Sequence, residues 1–229
     1  YNASSYYALQ VAQGNAIVVQ DDNVRLVGLQ IGTSNTSGTY RSVHMNSPVT
    51  GLLIDRCILK LISSSGGEPY GIEFDSSSDG SSATIRNSVI EGAYKHAIRD
   101  FYSASSVINV YNCTISGSNV GIVRSQSTLT VTNCAIFNNT DDLNGAVGIT
   151  YSAIDDADEF TGKVSLNENA SGEWTAAFTN YSNGVYSVKD TSSPLRNAGV
   201  SISGITEDII GVSRPKSTAN DIGAFEFNE

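Results

Sequence analysis

The residues best suited by type to do chemistry gather in three short stretches. Glu73 and Asp75 lie in Tyr70-Gly-Ile-Glu-Phe-Asp75, His96, Arg99 and Asp100 in His96-Ala-Ile-Arg-Asp100, and Arg124 ends Val120-Gly-Ile-Val-Arg124. Polysaccharide lysis needs a basic side chain near a charge that stabilises an enolate-like intermediate. Hydrolysis needs paired carboxylates at a set separation. Aligning Ile72, Ile98 and Ile122 sets Glu73 beside Arg99 and Asp100 beside Arg124, so an enzyme would use Glu73, Arg99, Asp100 and Arg124. The same residues also read as two cross-strand salt bridges on a solvated outward face, each contributing under about 1 kcal/mol. That reading is the simpler one, and it leaves the face without a catalytic residue.

Metal and nucleophile chemistry find less support. Asp21-Asp22, Asp141-Asp142 and Asp155-Asp156-Ala-Asp-Glu159 offer carboxylates to Ca²⁺, the last run best, but none follows the EF-hand pattern. Acidic turns are commonly just solvated, so no cofactor is expected, with Ca²⁺ the one alternative. Cys57, Cys113 and Cys134 are odd in number and unevenly spaced, with no Cys-x-x-Cys, so neither a disulfide framework nor a zinc site follows. No Gly-x-Ser-x-Gly elbow occurs. Tyr6, Tyr7, Tyr40, Tyr70, Tyr94, Tyr102 and Tyr111 could stack on sugars, or serve as half-buried strand residues.

Composition narrows the partners. Across 229 residues, 13 Lys+Arg face 23 Asp+Glu, a net charge of −10, which argues against a nucleic-acid backbone. No window of about 18 apolar residues is present to span a membrane. Ser, Thr, Asn and Gly are poor helix interiors, so a helical bundle is not expected. Asn2, Asn35, Asn112, Asn138, Asn169 and Asn180 head Asn-x-Ser/Thr sequons and offer acceptor sites for glycosylation. An acidic, Lys-poor, Ser/Thr/Asn-rich chain suits a secreted, cell-surface or virion-surface protein. Tyr1 reads as a processed or truncated beginning.

What must position these groups is an internal repeat. Arg25-Leu-Val-Gly-Leu-Gln-Ile31, Leu53-Ile-Asp-Arg-Cys-Ile-Leu59, Thr84-Ile-Arg-Asn-Ser-Val-Ile90, Asn109-Val-Tyr-Asn-Cys-Thr-Ile115 and Thr130-Val-Thr-Asn-Cys-Ala-Ile136 share one pattern, and Thr150-Tyr-Ser-Ala-Ile154 follows it loosely. Their last residues are 28, 31, 25, 21 and 18 positions apart. Unequal but bounded periods suit a solenoid whose loops vary while its core strands do not. Each unit reads as strand, one-residue bend, strand. Asn at the bend tolerates left-handed backbone, and Asn87, Asn112 and Asn133 are expected to form a side-chain ladder. Stacked at about 4.8 Å, the units predict an all-β, right-handed parallel β-helix over residues 1–156. The cysteines share a register column with Leu29 and Ser88, which predicts buried free thiols.

From Asp155 the texture changes, and residues 157–229 are expected to close the helix. Ser193-Pro-Leu-Arg-Asn-Ala-Gly199, Asp208-Ile-Ile-Gly-Val-Ser-Arg214 and Asp221-Ile-Gly-Ala-Phe-Glu226 resemble the C-terminal tails of right-handed β-helix surface proteins, including choice-of-anchor Q proteins and their bacterial, phage and environmental relatives. The resemblance implies extracellular display, a tail that completes the helix, and a structural ion pair of Arg214 with Asp208 or Asp221. It implies no particular reaction.

Together these readings favour a non-enzymatic extracellular structural or surface-display protein: a filament, surface-layer, adhesin or phage-fibre component. Its expected partner is itself or a neighbouring chain at the N-terminal end, where no capping helix is evident and head-to-tail contacts would propagate. The alternatives are a lyase or glycosidase acting on an acidic polysaccharide, or a glycan-binding module on the same face.

Overall fold

The repeat builds a parallel β-solenoid of about five turns with almost no helix. This computed structural model describes residues 8–35, 38–64, 67–92, 94–101, 104–145, 148–156, 158–167 and 172–228, without the side chains of 35 and 62–64. The first rung is β1 (Leu9–Val11), β2 (Ile17–Val19) and β3 (Arg25–Val27), and the second β4 (Gln30–Asn35), β5 (Thr39–Met45) and β6 (Leu52–Asp55). The third is β7 (Ile58–Ser64), β8 (Glu68–Phe74) and β9 (Ser82–Arg86), followed by β10 (Val89–Glu91), β11 (His96–Asp100) and β12 (Val107–Tyr111). Then come β13 (Thr114–Ser116), β14 (Val120–Val123) and β15 (Thr128–Thr132), and β16 (Ala135–Phe137), β17 (Asp141–Asn144) and β18 (Gly148–Thr150). β19 (Ala153–Ile154) and β20 (Val164–Ser165) extend only the first of three parallel sheets, which hold eight, six and six strands.

Register explains the core. Leu9, Ile31, Leu59, Ile90, Ile115, Ile136 and Ile154 stand in one column of the first sheet. Val43, Ile72, Ile98, Ile122 and Leu143 do the same in the second sheet. The small residue before the isoleucine is a steric demand: a Cβ on Gly71 would stand 2.3 Å from the Ala97 carbonyl oxygen.

The single-residue bend is left-handed in every copy. Gly28, Arg56, Asn87, Asn112, Asn133 and Tyr151 all have φ between 45° and 69°. The next position carries a small donor that bridges rungs. Cys57 N donates to Ser88 Oγ at 3.1 Å, Cys113 N to Cys134 Sγ at 3.4 Å, and Cys134 N to Ser152 Oγ at 3.0 Å. Each Sγ or Oγ in turn donates to the carbonyl two residues back, as Ser88 does to Arg86 O at 2.7 Å. The three thiols are buried and unpaired, and burial raises the pKa of Cys57 and Cys113. Leu29 departs from this column: too large for it, the side chain is exposed and lies beside Ile58 and Phe225 on the flank.

The expected asparagine ladder is broken after one step. Asn133 Nδ2 donates to Asn112 Oδ1 at 2.9 Å, but Asn87 Nδ2 turns to Asp55 Oδ1 at 3.1 Å. The aspartate supplies a charged acceptor, which makes the stronger hydrogen bond.

Residues 172–228 run along the outer face of the first sheet, so this segment straps the side of the solenoid as well as following its last rung. It contains α1 (Glu173–Ala177) and an antiparallel hairpin of β21 (Phe178–Asn180) and β22 (Val185–Val188). Trp174, Phe178, Tyr186, Leu195 and Ile222 form a second core on the outward Val89, Ala135 and Phe137. Backbone joins the two: Gly223 N donates to Asn133 O and Val200 N to Asn133 Oδ1.

Asn133→Ala is expected to cost about 2–4 kcal/mol, because it forces an alanine left-handed and strands buried polar groups. Asn133→Gly keeps the bend and loses only the amide, so it should cost about 1–2 kcal/mol less. Urea unfolding measures both; equal losses would show that bend geometry is not the constraint.

Candidate functional site

The outward face of the second sheet holds the charged cluster. Ile72, Ala97 and Ile98 join the core, while Tyr70, Glu73, His96 and Arg99 gather on the outer side. Glu73 stands in register with His44 on one side and Arg99 on the other. Although it faces outward it is only 1% exposed, because its neighbours cover it. Arg99 Nη1 donates to Glu73 Oε1 at 2.8 Å, Arg41 Nε donates to Oε2, and His44 Nε2 lies 3.8 Å from the same oxygen. Arg99 also lies over the Phe101 ring at 3.9 Å and the Tyr70 ring at 4.7 Å.

The surrounding groups complete a closed pattern. His44 Nε2 lies 3.0 Å from Asp75 Oδ2 while Nδ1 lies 3.1 Å from Asn15 Nδ2, a pairing that makes Nδ1 the acceptor and Nε2 the donor. Tyr70 donates to Glu68 Oε2 at 3.0 Å, and Lys95 pairs with Glu68 Oε1. Burial pushes the Tyr70 hydroxyl up to about 12. Burial, reinforced by Arg99 and Lys95, pushes His96 down to about 4, so its imidazole is neutral at physiological pH. Arg41, Lys95 and Arg99 balance Glu68, Glu73 and Asp75, which leaves the cluster no net field to draw in a polyanion.

Asp100 and Arg124 do not share this face, which corrects the expected four-residue site. Asp100 is in register with Phe74, turns inward and is fully buried. Its Oδ2 accepts from the backbone N–H groups of Ser125, Gln126 and Ser127 at 2.9–3.0 Å. Arg124 Nε donates to Ser127 O at 2.6 Å. Both side chains brace one turn. The alignment of isoleucines was right; the inward turn after Arg99 was hidden by treating every later residue as outward.

Of the acidic runs, only Asp142, Asp155 and Asp156 meet, with carboxylate oxygens within 4.8 Å of one another. They are the donors a calcium ion would need to share. Each is already engaged by a backbone amide: Asp142 Oδ2 by Asp155 N, Asp155 Oδ2 by Asn138 N, and Asp156 Oδ2 by Asp142 N. Burial, then the adjoining Asp155, pushes Asp142 up to about 9. Asp22 instead caps a turn through Thr50 N at 2.6 Å, and that bond lowers its pKa.

The tail's ion pair differs from the one its resemblance implied. Arg214 pairs with Glu226 at 2.7 Å, both buried, and also donates to the Asp221 and Gly223 carbonyls. Asp208 and Asp221 hold backbone instead: Asp208 accepts from Ile210, Val212 and Glu226 N, and Asp221 from Asn197 and Phe227 N. Among the sequons, Asn112 is buried while Asn138 and Asn180 are exposed. Asn2, Asn169 and the side chain of Asn35 lie outside the described residues, as do Tyr6, Tyr7 and Tyr102. Among the described residues no helix is long and apolar enough to cross a membrane.

Set against known proteins, the chain matches no family model, no curated protein and no solved structure. The tail's likeness to surface β-helix proteins therefore rests on its own residues.

Two outcomes test these assignments. Glu73→Gln removes the charge that two guanidiniums share, and should destabilise the fold by about 2–4 kcal/mol in urea unfolding. For Asp142, the folded state keeps a proton up to about pH 9 that the unfolded chain releases near 3.8. Stability should thus fall as pH rises through that window. Asp142→Asn should flatten the dependence of melting temperature on pH. Calcium raising the wild-type melting temperature at pH 8, but not that of Asp142→Asn, would instead assign the trio to a cation.

Proposed function

We propose that the protein is a non-enzymatic structural β-helix working outside the cell, as a component of a filament, surface layer, adhesin or phage fibre. The observation that carries this reading is the first rung. Leu9 belongs to the aliphatic core column, in register with the wholly buried Ile31, yet it is 45% exposed. Val18 and Val27 add exposed apolar surface on the outer walls of the same rung, in register with His44 and Asp55, while the inward Val19 and Leu26 are buried. Among the described residues β1, β2 and β3 pair on one side only. An apolar cross-section ringed by three strand edges is a template for another β-rung. We assign that place to another β-rung, from a neighbouring copy or chain or from sequence preceding Tyr1.

The far end has a different character. β20 adds to β19, Phe160 packs against the core, and the Asp142, Asp155 and Asp156 carboxylates hold the turns there. The extracellular setting draws on the acidic, Lys-poor composition and on the resemblance of the tail. The reading as a lyase or glycosidase loses its groups: Glu73 is enclosed by two arginines and Asp100 by three amides. No polar group of that pair is left open to a sugar.

Electron microscopy and light scattering of the purified chain should show oligomers or fibres, and Leu9→Asp should reduce them to single short rods. Wild-type rods that stay monodisperse at high concentration would sink the proposal. Turnover of acidic polysaccharides, lost in Arg99→Ala, would replace it with the enzymatic reading.

A further inference from the structure

On the flank, the tip of the β21–β22 hairpin and the neighbouring outer face of the first sheet border an open cleft of about 500 Å³, a size typical of small-ligand sites. Its floor is the outward pair Lys60 and Glu91, on β7 and β10, with Nζ to Oε2 at 3.1 Å. Its walls are Tyr181 and Tyr186, and its rim carries Asn138, Ser182 and Asn183. The cleft lies apart from the first rung and shares no residue with it.

We infer that this cleft binds a neutral saccharide. The geometry is fixed before any ligand arrives, which lowers the entropy lost on binding. The Tyr181 and Tyr186 rings pack 5.6 and 5.4 Å from Phe137, and Tyr186 Oη accepts from Ser116 Oγ at 3.2 Å. Asn180 Oδ1 gathers Asn183 Nδ2 at 3.1 Å and Ser182 Oγ at 3.3 Å, which sets the tip. Gly184 turns there with φ of 70°, and a Cβ on it would press to 3.1 Å from Glu91 Oε1.

The chemistry of the lining selects the ligand. A lone cation balanced by a lone carboxylate repels neither sign and attracts neither, so phosphates, uronates and ammonium groups gain nothing from it. Beyond the bonds that Glu91 makes to Lys60 and Tyr186, the ammonium keeps donors and the carboxylate keeps acceptor lone pairs, which match hydroxyl groups through charge-assisted bonds about twice as strong as neutral ones. The half-buried Tyr181 ring offers an apolar face of the size a pyranose presents, and the amides on the rim add paired donors and acceptors. Many hydroxyls, one apolar face and no charge describe a sugar ring.

The test uses the full chain expressed in a host that does not glycosylate, titrated with cellotriose, maltotriose, chitotriose and mannotriose by NMR and calorimetry. At least one should bind, with an affinity insensitive to salt. Tyr181→Ala should weaken it about tenfold or more, and Asn183→Leu likewise, while Arg99→Ala leaves it unchanged. Circular dichroism confirms that each variant is folded. Four outcomes would overturn the inference: no binding by any probe at millimolar concentration, unchanged binding in folded Tyr181→Ala, loss in Arg99→Ala, or tighter, salt-sensitive binding of a galacturonate trimer. Microscopy of Tyr181→Ala separates this from assembly, because the rods should form as in wild type.

Discussion

One backbone constraint governs the molecule: each rung passes from its third strand to the next through a single left-handed residue. L-amino acids other than glycine and asparagine adopt that conformation at a cost of roughly 1–2 kcal/mol. Asn87, Asn112 and Asn133 meet it most readily, while Arg56 and Tyr151 are held there by their context. Because the turn occupies one residue, the small residue behind it lands in register from rung to rung, where its thiol or hydroxyl links the amide of one rung to the next. Cysteine and serine are interchangeable in this role for a plain reason. Each is small, carries one donor and accepts one amide, and neither needs to react.

The same corner organises the flank. Asn133 accepts from Val200 and donates to its carbonyl, and Asn133 O accepts from Gly223. The segment that covers the first sheet is thereby keyed to the turn that creates that sheet. Its inner order comes from a buried charge. Arg214 would be costly alone, and Glu226 together with two carbonyls satisfies it, while Asp208 and Asp221 bind five backbone amides between them. A chain with little regular structure is ordered this way by side chains that stand in for a hydrogen-bonded ladder.

The sequence made the repeat legible because stacking imposes likeness: an isoleucine or leucine at the same place in every turn, and asparagine at three of the six bends. The register of Ile72, Ile98 and Ile122, and with it the pairing of Glu73 with Arg99, followed directly. What it hid was which side some residues take. Asp100 follows the alternation inward, two residues after Ile98, and is received there by three amides, whereas Leu29 turns outward because the column it belongs to admits only small side chains. The tail's resemblance implied an ion pair of Arg214 with Asp208 or Asp221, but both aspartates are taken up by backbone amides and the fold gives Arg214 to Glu226. The cleft of Lys60, Glu91 and Tyr181 had no signal at all, since Lys60 and Glu91 lie 31 positions apart, Tyr181 lies 90 beyond Glu91, and no motif links them.

The distribution of charge separates architecture from activity. With 23 acidic side chains against 13 basic ones, most basic groups could have been left to face solvent. Instead Arg41, Lys60, Arg86, Lys95 and Arg99 each hold a carboxylate on a neighbouring rung, Arg56 joins the solenoid to Glu207 of the flank, and Arg214 is held by Glu226 within the flank. A catalytic site keeps a charge imperfectly compensated, so that a transition state can complete it. Here the cations are consumed in joining one turn to another, and the second-sheet face, for all its histidines, arginines and acids, is built like a seam. On the proposed reading, the exposed edge of the first rung and the cleft at the flank hairpin are the places left to hold a partner.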